Sequence, residues 1–403
     1  YLKDTGVANL APECADQAWV KGVTPQELMA YIFSTSQMTS SLSFIELAFL
    51  AAPSEGREYL PYLGRANQQG DSSSTDSHEL TKILTRVSQR LTKTRLPDGE
   101  HGELGSNGWG LGKEKTANSR GILLANPHFP HTGNLRFWQS HQMIPGVLDV
   151  TGASLQGMPA VTLIGFNQHI AWTHTVSMAR HFAVYRLLLQ PGNKKQYRVD
   201  DEIKNIEKYT YYVEVRLDGK SVFLAKDFYY SHHGLMIETP DNVSGLLKWT
   251  DDEAYTLRDA VVENVDLIDQ WLAMNMARNI DDFQQAFKDY DGVPWVNTMY
   301  ADDQGHAFYI DKSRVLNLTE QALAIMRTDP VLVTQRQALG FNILPGETSV
   351  FEPDGTNGYS QAPKLLRSDY IQNSNDSYWA TNPSEPLTGF SVFYGDDLTE
   401  LSL

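Results

Sequence analysis

In ELGSNGWGLG, residues 103–112, a small nucleophile, Ser106, sits between Gly105 and Asn107, and four of the eight residues from Gly105 to Gly112 are glycine. The stretch divides the chain into two parts of different character. Before it, VTPQEL offers Thr24 as a helix cap, Pro25 in the first turn and Glu27 as capping-box partner, ahead of the apolar Leu28, Met29, Tyr31, Ile32 and Phe33. A second helix is predicted over Glu79–Lys93, because Leu80, Ile83, Leu84, Val87 and Leu91 share one helical face. RANQQGDSSST (65–75) and RLPDGEHGELG (95–105) read as polar, flexible breaks.

After Ser106 the runs become short, apolar or β-branched, and bounded by Gly, Pro and Asn. GILLAN, VLDVTGAS, AVTLIGF, HIAWTHTV and FAVYRLLL read as successive strands. KYTYYVEVRLDGKSVFLAKDF is a hairpin turning at Asp218–Gly219, and VNTMYADDQGHAFYID is a second hairpin. Over residues 254–290, the spacing of Leu257, Val261, Val265, Ile268, Leu272 and Met276 predicts one long or two consecutive helices. Helices first, then many antiparallel strands with a helical insert, indicate an α+β architecture.

Composition narrows the function. The 403 residues carry 49 acidic and 33 basic side chains, a net charge of −16, which disfavours nucleic acid as a partner. Nothing approaches the length of apolar run that crosses a membrane, and YLKDTGVANL has no apolar signal core. Cys14 is the only cysteine, so no internal disulfide forms. There is no GxGxxG opening a helix, no Walker loop, no Cys/His metal cluster and no GxSxG elbow. The adjacent histidines of SHHGLM, read as strand residues, point to opposite faces and so make poor joint ligands.

Ser106 remains as the candidate nucleophile. Downstream, LLANPHFP brings His128 near a strand end, IAWTHTV carries His174 and ends at Val176, and YIQNSNDSYWATNP holds Asn373 and Asn375. Each has an ordinary structural reading: a satisfied core histidine, a strand residue, an Asx-turn. Taken in order, GSN (105–107), LLANPHFP (123–130), LRFWQSH (135–141), GASLQGMPAV (152–161), IAWTHTV (170–176), VPWVNT (293–298) and NSNDSYW (373–379) resemble the penicillin acylase family of N-terminal nucleophile (Ntn) hydrolases. Within that family the chain is most similar to the acyl-homoserine lactone and aculeacin-type acylases.

The resemblance implies a four-layered αββα sandwich of antiparallel sheets with a helical leading segment. It implies a precursor that cuts itself between Gly105 and Ser106, with residues 1–70 in the small chain, 71–105 as linker or propeptide, and 106–403 as the catalytic chain. Gly105 suits the junction, having no side chain to shield its carbonyl and freedom to take strained angles. The new α-amine of Ser106, with a reference pKa of roughly 7.7–8.0, would activate its own hydroxyl through one water. The resemblance further implies an oxyanion hole made by the Val176 N–H and the Asn375 amide (Asn373 being the alternative), His128 hydrogen-bonded to the nucleophile, and an acyl pocket of Phe129, Leu135, Phe137, Leu155 and Trp295. SMAR follows THTV where penicillin G acylases place a calcium-ligating Asp, so no calcium is expected there, and no cofactor.

The expected reaction is hydrolysis of N-acyl-homoserine lactones, a quorum-quenching activity, with the two chains of the precursor staying associated in the periplasm or outside the cell. The alternatives are a β-lactam or lipopeptide acylase and, in a different class, an inactive unprocessed relative that binds an apolar ligand. Relatives continue beyond GFSVFYGDDLTELSL, so the catalytic chain is expected to be truncated relative to the family, lacking an arginine that orients the oxyanion asparagine there.

Overall fold

The computed structural model describes residues 105–395 apart from 133–134, 159–160, 218–219 and 240–245, residues 20–53 apart from 39, the pair 62–63, and residues 6, 10 and 12–15. The helix expected over Glu79–Lys93, the linker and the Asp218–Gly219 turn lie outside the described residues.

The strands are, in chain order, β1 Tyr62–Leu63, β2 Gly105–Leu111, β3 Ile122–His128, β4 Phe137–Ile144, β5 Leu148–Leu155, β6 Ile164–Phe166 and β7 Ile170–Val176. Then come β8 Phe182–Gln190, β9 Asn193–Val199, β10 Glu202–Asn205, β11 Glu207–Leu217, β12 Lys220–Tyr230, β13 Leu235–Ile237 and β14 Glu253–Asp259. The last are β15 Val296–Asp302, β16 Ala307–Ile310, β17 Ile343–Pro345, β18 Lys364–Arg367 and β19 Tyr370–Asn373. The helices used below are α1 Pro25–Ser36, α2 Ile45–Leu50, α3 Leu267–Met276 and α4 Ile280–Asp289.

Among the described residues these form three sheets. The largest runs β1-β12-β13-β14-β8-β9-β10, with β11 on β12 and β17 parallel to β8. A seven-stranded sheet runs β18-β16-β15-β7-β6-β5-β4, and a three-stranded sheet runs β19-β2-β3. The hairpins β11–β12 and β15–β16 form where the sequence predicts them. Residues 253–259 correct the helical reading of 254–290: they are a strand paired along β8, and helix begins only at Leu267. Val265, which fitted the helical spacing, is largely exposed ahead of that helix.

The seven-stranded sheet lies between two different layers. Alternate side chains of β7 and β15 point to opposite faces. Trp172 and Tyr300 meet Phe283 of α4, with ring centroids 6.4 and 4.7 Å apart. On the other face Thr173 and Met299 meet β2. This explains the glycine run. Gly108 and Gly110 lie on the buried face of β2, where a Cβ would come within 2.6 Å of Met299 Cε and 3.0 Å of the Tyr300 carbonyl oxygen. The outward face of the three-stranded sheet carries Trp109, Ile122 and Leu124, each about half exposed.

The leading segment packs against both larger sheets. α1 begins with the expected capping box: Thr24 Oγ1 accepts the Glu27 N–H at 3.1 Å, and Glu27 accepts the Thr24 N–H at 2.8 Å. Ile32 joins the main core, and Tyr31 donates to the Gln156 carbonyl at 2.6 Å. α2 and the residue before it lie on the largest sheet, Phe44 on Phe182 and Phe49 on Phe228.

Candidate active site

Ser106 sits in β2, the middle strand of its sheet, opposite Pro127 of the edge strand β3. Proline is tolerated at an edge, but it offers no N–H to its neighbour. The Ser106 N–H donates to Asn375 Oδ1 at 2.7 Å, and the Ser106 hydroxyl donates to the Gly105 carbonyl. The side chain is 2% exposed. Gly105 adopts ordinary extended backbone and not the strained angles the sequence allowed. Its lack of a side chain matters for space: a Cβ there would stand 3.0 Å from Asn375 Oδ1.

Asn375 is held from several sides. Its backbone is left-handed (φ 70°), a region asparagine tolerates better than most residues. Its N–H donates to Asn373 Oδ1 at 2.9 Å, and its Nδ2 donates to the Val176 carbonyl at 2.9 Å. Asn373 is fully buried, also accepts from Thr175 and Asn297, and donates to the Asp376 carbonyl at 3.0 Å. The two asparagines of NSN therefore divide the work: Asn375 touches Ser106 and Asn373 holds Asn375. Asn297, inside the VPWVNT motif but not singled out from the sequence, bonds Thr175, the Val176 carbonyl and Asn373 and accepts from Tyr309.

His128 is placed differently from the sequence expectation. Its Nε2 pairs with the Asn126 amide at 3.0 Å and the Asn107 amide at 3.4 Å, not with Ser106. A Cβ on Gly105 would stand 3.7 Å from His128 Nδ1, so the ring borders the junction on the Gly105 side. His174 is structural. Its Nε2 accepts from Trp271 Nε1 at 3.1 Å, which leaves Nδ1–H to donate to the Asn297 carbonyl at 3.1 Å. Burial pushes its pKa down to about 4, so the ring is neutral.

Beside Ser106 opens an apolar cavity of about 50 Å³. Phe129, Phe137, Leu155 and Trp295 line it, as do Val176 and Pro127. Phe129 lies 5.0 Å from Phe137 and 6.4 Å from Trp295 between centroids, the latter nearly parallel. Leu135 is the exception: it is half-buried and outside the lining. The sequence reading missed Met158, Leu163, Ile164, Leu267 and Trp271, and missed Thr35 and Ser36 at the end of α1. No local pattern marks these residues, because the wall is assembled from segments far apart in the chain.

Ser106 thus lies on the middle strand of one antiparallel sheet, backed by a second sheet with helices on its far side. The chain belongs to the penicillin amidase family, which matches residues 13–397. Acyl-homoserine lactone acylase PvdQ of Pseudomonas fluorescens strain Pf0-1 is 37% identical over 412 aligned residues, covering 100% of this chain and 48% of its own length. Aculeacin-A acylase of Actinoplanes utahensis is 31% identical, again over 100% of this chain and 48% of its own. The chain thus spans about half the length of these curated relatives. Among solved structures, a thermostable penicillin G acylase from Alcaligenes faecalis shares the fold, with a TM-score of 0.54 and 19% identity over 70% of this chain and 45% of that one.

Proposed function

We propose that this chain carries the nucleophile, oxyanion asparagine and acyl pocket of an amide hydrolase that removes fatty acyl groups from N-acyl-homoserine lactones. The observation that carries the reading is the position of Ser106: its hydroxyl lies on the Gly105 carbonyl, its N–H on Asn375, and an apolar cavity opens beside it. In the precursor the hydroxyl attacks the Gly105 carbonyl carbon, the C–N bond breaks, and water hydrolyses the resulting ester. The freed α-amine then serves as base, through one water, for attack on the substrate amide. Base assistance of this kind is worth about 10² to 10⁴ in rate. Asn375 Nδ2 leaves the Val176 carbonyl to meet the substrate oxyanion together with the Val176 N–H.

The acyl tail enters the cavity, where each buried methylene contributes about 0.8 kcal/mol, roughly fourfold in affinity, until the space is full. The enzyme works in the periplasm or outside the cell, with its two chains associated after cleavage. Among the described residues no helix is long and apolar enough to cross a membrane. The similarity to aculeacin-A acylase over the whole chain favours a second reading, a lipopeptide acylase using the same site.

The test is release of free amine from acyl-homoserine lactones running from butanoyl to tetradecanoyl. Specificity should rise with acyl length and then level off. Preference for phenylacetyl amides over every aliphatic chain would replace this reading with a penicillin G-type acylase, and preference for a lipopeptide would establish the second reading.

A further inference from the structure

The adjacent histidines of SHHGLM lie in a turn, so strand alternation does not separate them. β12 ends at Tyr230 and β13 begins at Leu235. Between them the Ser231 N–H donates to the Gly234 carbonyl at 2.8 Å and the Gly234 N–H donates back to Ser231 at 3.2 Å. Gly234 is required here, with φ 143° and the Leu257 carbonyl oxygen 2.4 Å from where a Cβ would stand.

The turn brings His232 and His233 together with ring centroids 3.9 Å apart. Glu352 meets both: its Oε1 is 2.5 Å from His232 Nε2 and 3.7 Å from His233 Nε2. Tyr185 fixes the group from beneath, stacking on His233 at 3.8 Å and 12° while its hydroxyl donates to the Phe351 carbonyl at 2.7 Å. Tyr197 fixes it from the side, its hydroxyl oxygen 2.6 Å from His232 Nδ1 and accepting the His232 backbone N–H at 3.0 Å.

His233 is the anomaly. It is 2% exposed, and among the described residues neither ring nitrogen has a hydrogen-bond partner. Buried polar atoms are rarely left so.

We propose that His232, His233 and Glu352 bind a divalent transition-metal ion of the zinc type, which ties the β12–β13 turn to the segment following Ser349–Phe351. One ligand atom from each residue already lies within 4.8 Å of the other two. Two ligands of one tetrahedral zinc stand about 3.3 Å apart at bond lengths of about 2.0–2.1 Å, so small side-chain rotations close the site. With the metal on Nε2, the His232 proton sits on Nδ1 and is donated to Tyr197, the outer partner that ligating histidines usually have. His232 and Glu352 keep 25% and 33% of their side chains exposed, which leaves a path for the ion and for a water as fourth ligand. A single carboxylate beside two imidazoles, with Arg258 and Lys204 nearby, suits ions drawn by nitrogen and disfavours calcium or magnesium. None of the three residues lines the cavity beside Ser106, so the ion would act on stability rather than on acyl transfer.

The experiment is calorimetric titration of chelator-treated chain with Zn²⁺ alone, paired with thermal unfolding. The intact chain should take up one equivalent and gain melting temperature. His232→Ala and Glu352→Gln, which change partly exposed side chains and should fold, should each bind at least about tenfold more weakly and lose the gain in melting temperature. Equal binding by the intact chain and both variants, or no stoichiometric uptake by the intact chain, overturns the proposal.

Discussion

At the scale of single residues, the site turns on two asparagines separated by one serine. Asn375 reaches Ser106 and Asn373 does not, yet Asn373 is the more deeply buried and makes more hydrogen bonds. The two substitutions should therefore fail differently. Asn375→Ala should lower kcat by about 10² to 10³ with little change in KM. Asn373→Ala should lower activity and also stability, by about 1–3 kcal/mol, because it leaves the Asn375 N–H and the Thr175 hydroxyl without their acceptor and takes one of several from Asn297. Kinetics beside urea unfolding separates the cases, and equal stability of the two variants would contradict this division.

Ser106→Ala should abolish both precursor cleavage and amide hydrolysis, read by intact mass and by amine release. A Ser106→Ala chain that still splits before residue 106 without protease would rule out self-cleavage. His174 and His181 give a pH test. Burial lowers both to about 4. Between about pH 6.5 and 4 the unfolded chain takes up protons that the folded chain refuses, so each histidine's contribution to stability is present above pH 6.5 and is lost as pH falls through that window. Asp311, raised by burial, works in the opposite direction, so the clean readout is the imidazole itself. The NMR signals of His174 and His181 should not titrate between pH 7 and 5, and a midpoint near 6.5 for either would overturn the burial argument.

At the scale of elements, legibility followed how local the cause was. The α1 cap was readable because Thr24, Pro25 and Glu27 act on one another within four residues. The hairpins were readable because turn residues separate apolar runs. Residues 253–259 were not, because a strand completing the largest sheet is selected by its pairing with β8, which no neighbouring residue announces. The glycines of β2 were visible, but their cause lay in β15 on the far side of a sheet interface. The closeness of approach at Gly108 and at Gly112, just beyond β2, makes a graded prediction. Gly108→Ala meets the flexible tip of Met299 and should cost about 1 kcal/mol, whereas Gly112→Ala meets the Ser368 carbonyl at 2.3 Å and should cost about 2–3 kcal/mol. Urea unfolding of the two variants checks the order, and the reverse order would show that the sheets are not packed this closely.

At the scale of the whole molecule, Ser106 and the four expected residues that line the cavity beside it were legible as motifs in order, while most of the cavity wall was not. Ser36 from α1 and Trp271 from α3 meet there only because the leading segment and the helical layer dock on the same sheet region. Cleavage at Gly105–Ser106 should consequently leave two pieces that elute together in gel filtration and part only on a denaturing gel, held by Ile32 in the core, Tyr31 on Gln156 and Phe44 on Phe182. Elution of the leading piece by itself under native conditions would contradict the docking.

The place of Ser106 in β2 has a kinetic meaning. Chain ends ordinarily fray, and a catalytic amine on a loose end would spend most of its time elsewhere. Here the end that the proposed cleavage would create is already a rung of a ladder, with β3 alongside it from Ser106 and β19 from Gly108 onward. Its translational and rotational freedom is surrendered when the sheet folds, before the peptide bond breaks. On the proposed self-cleavage, the amine would be born at a high effective concentration beside its own hydroxyl, with no later ordering step between processing and turnover.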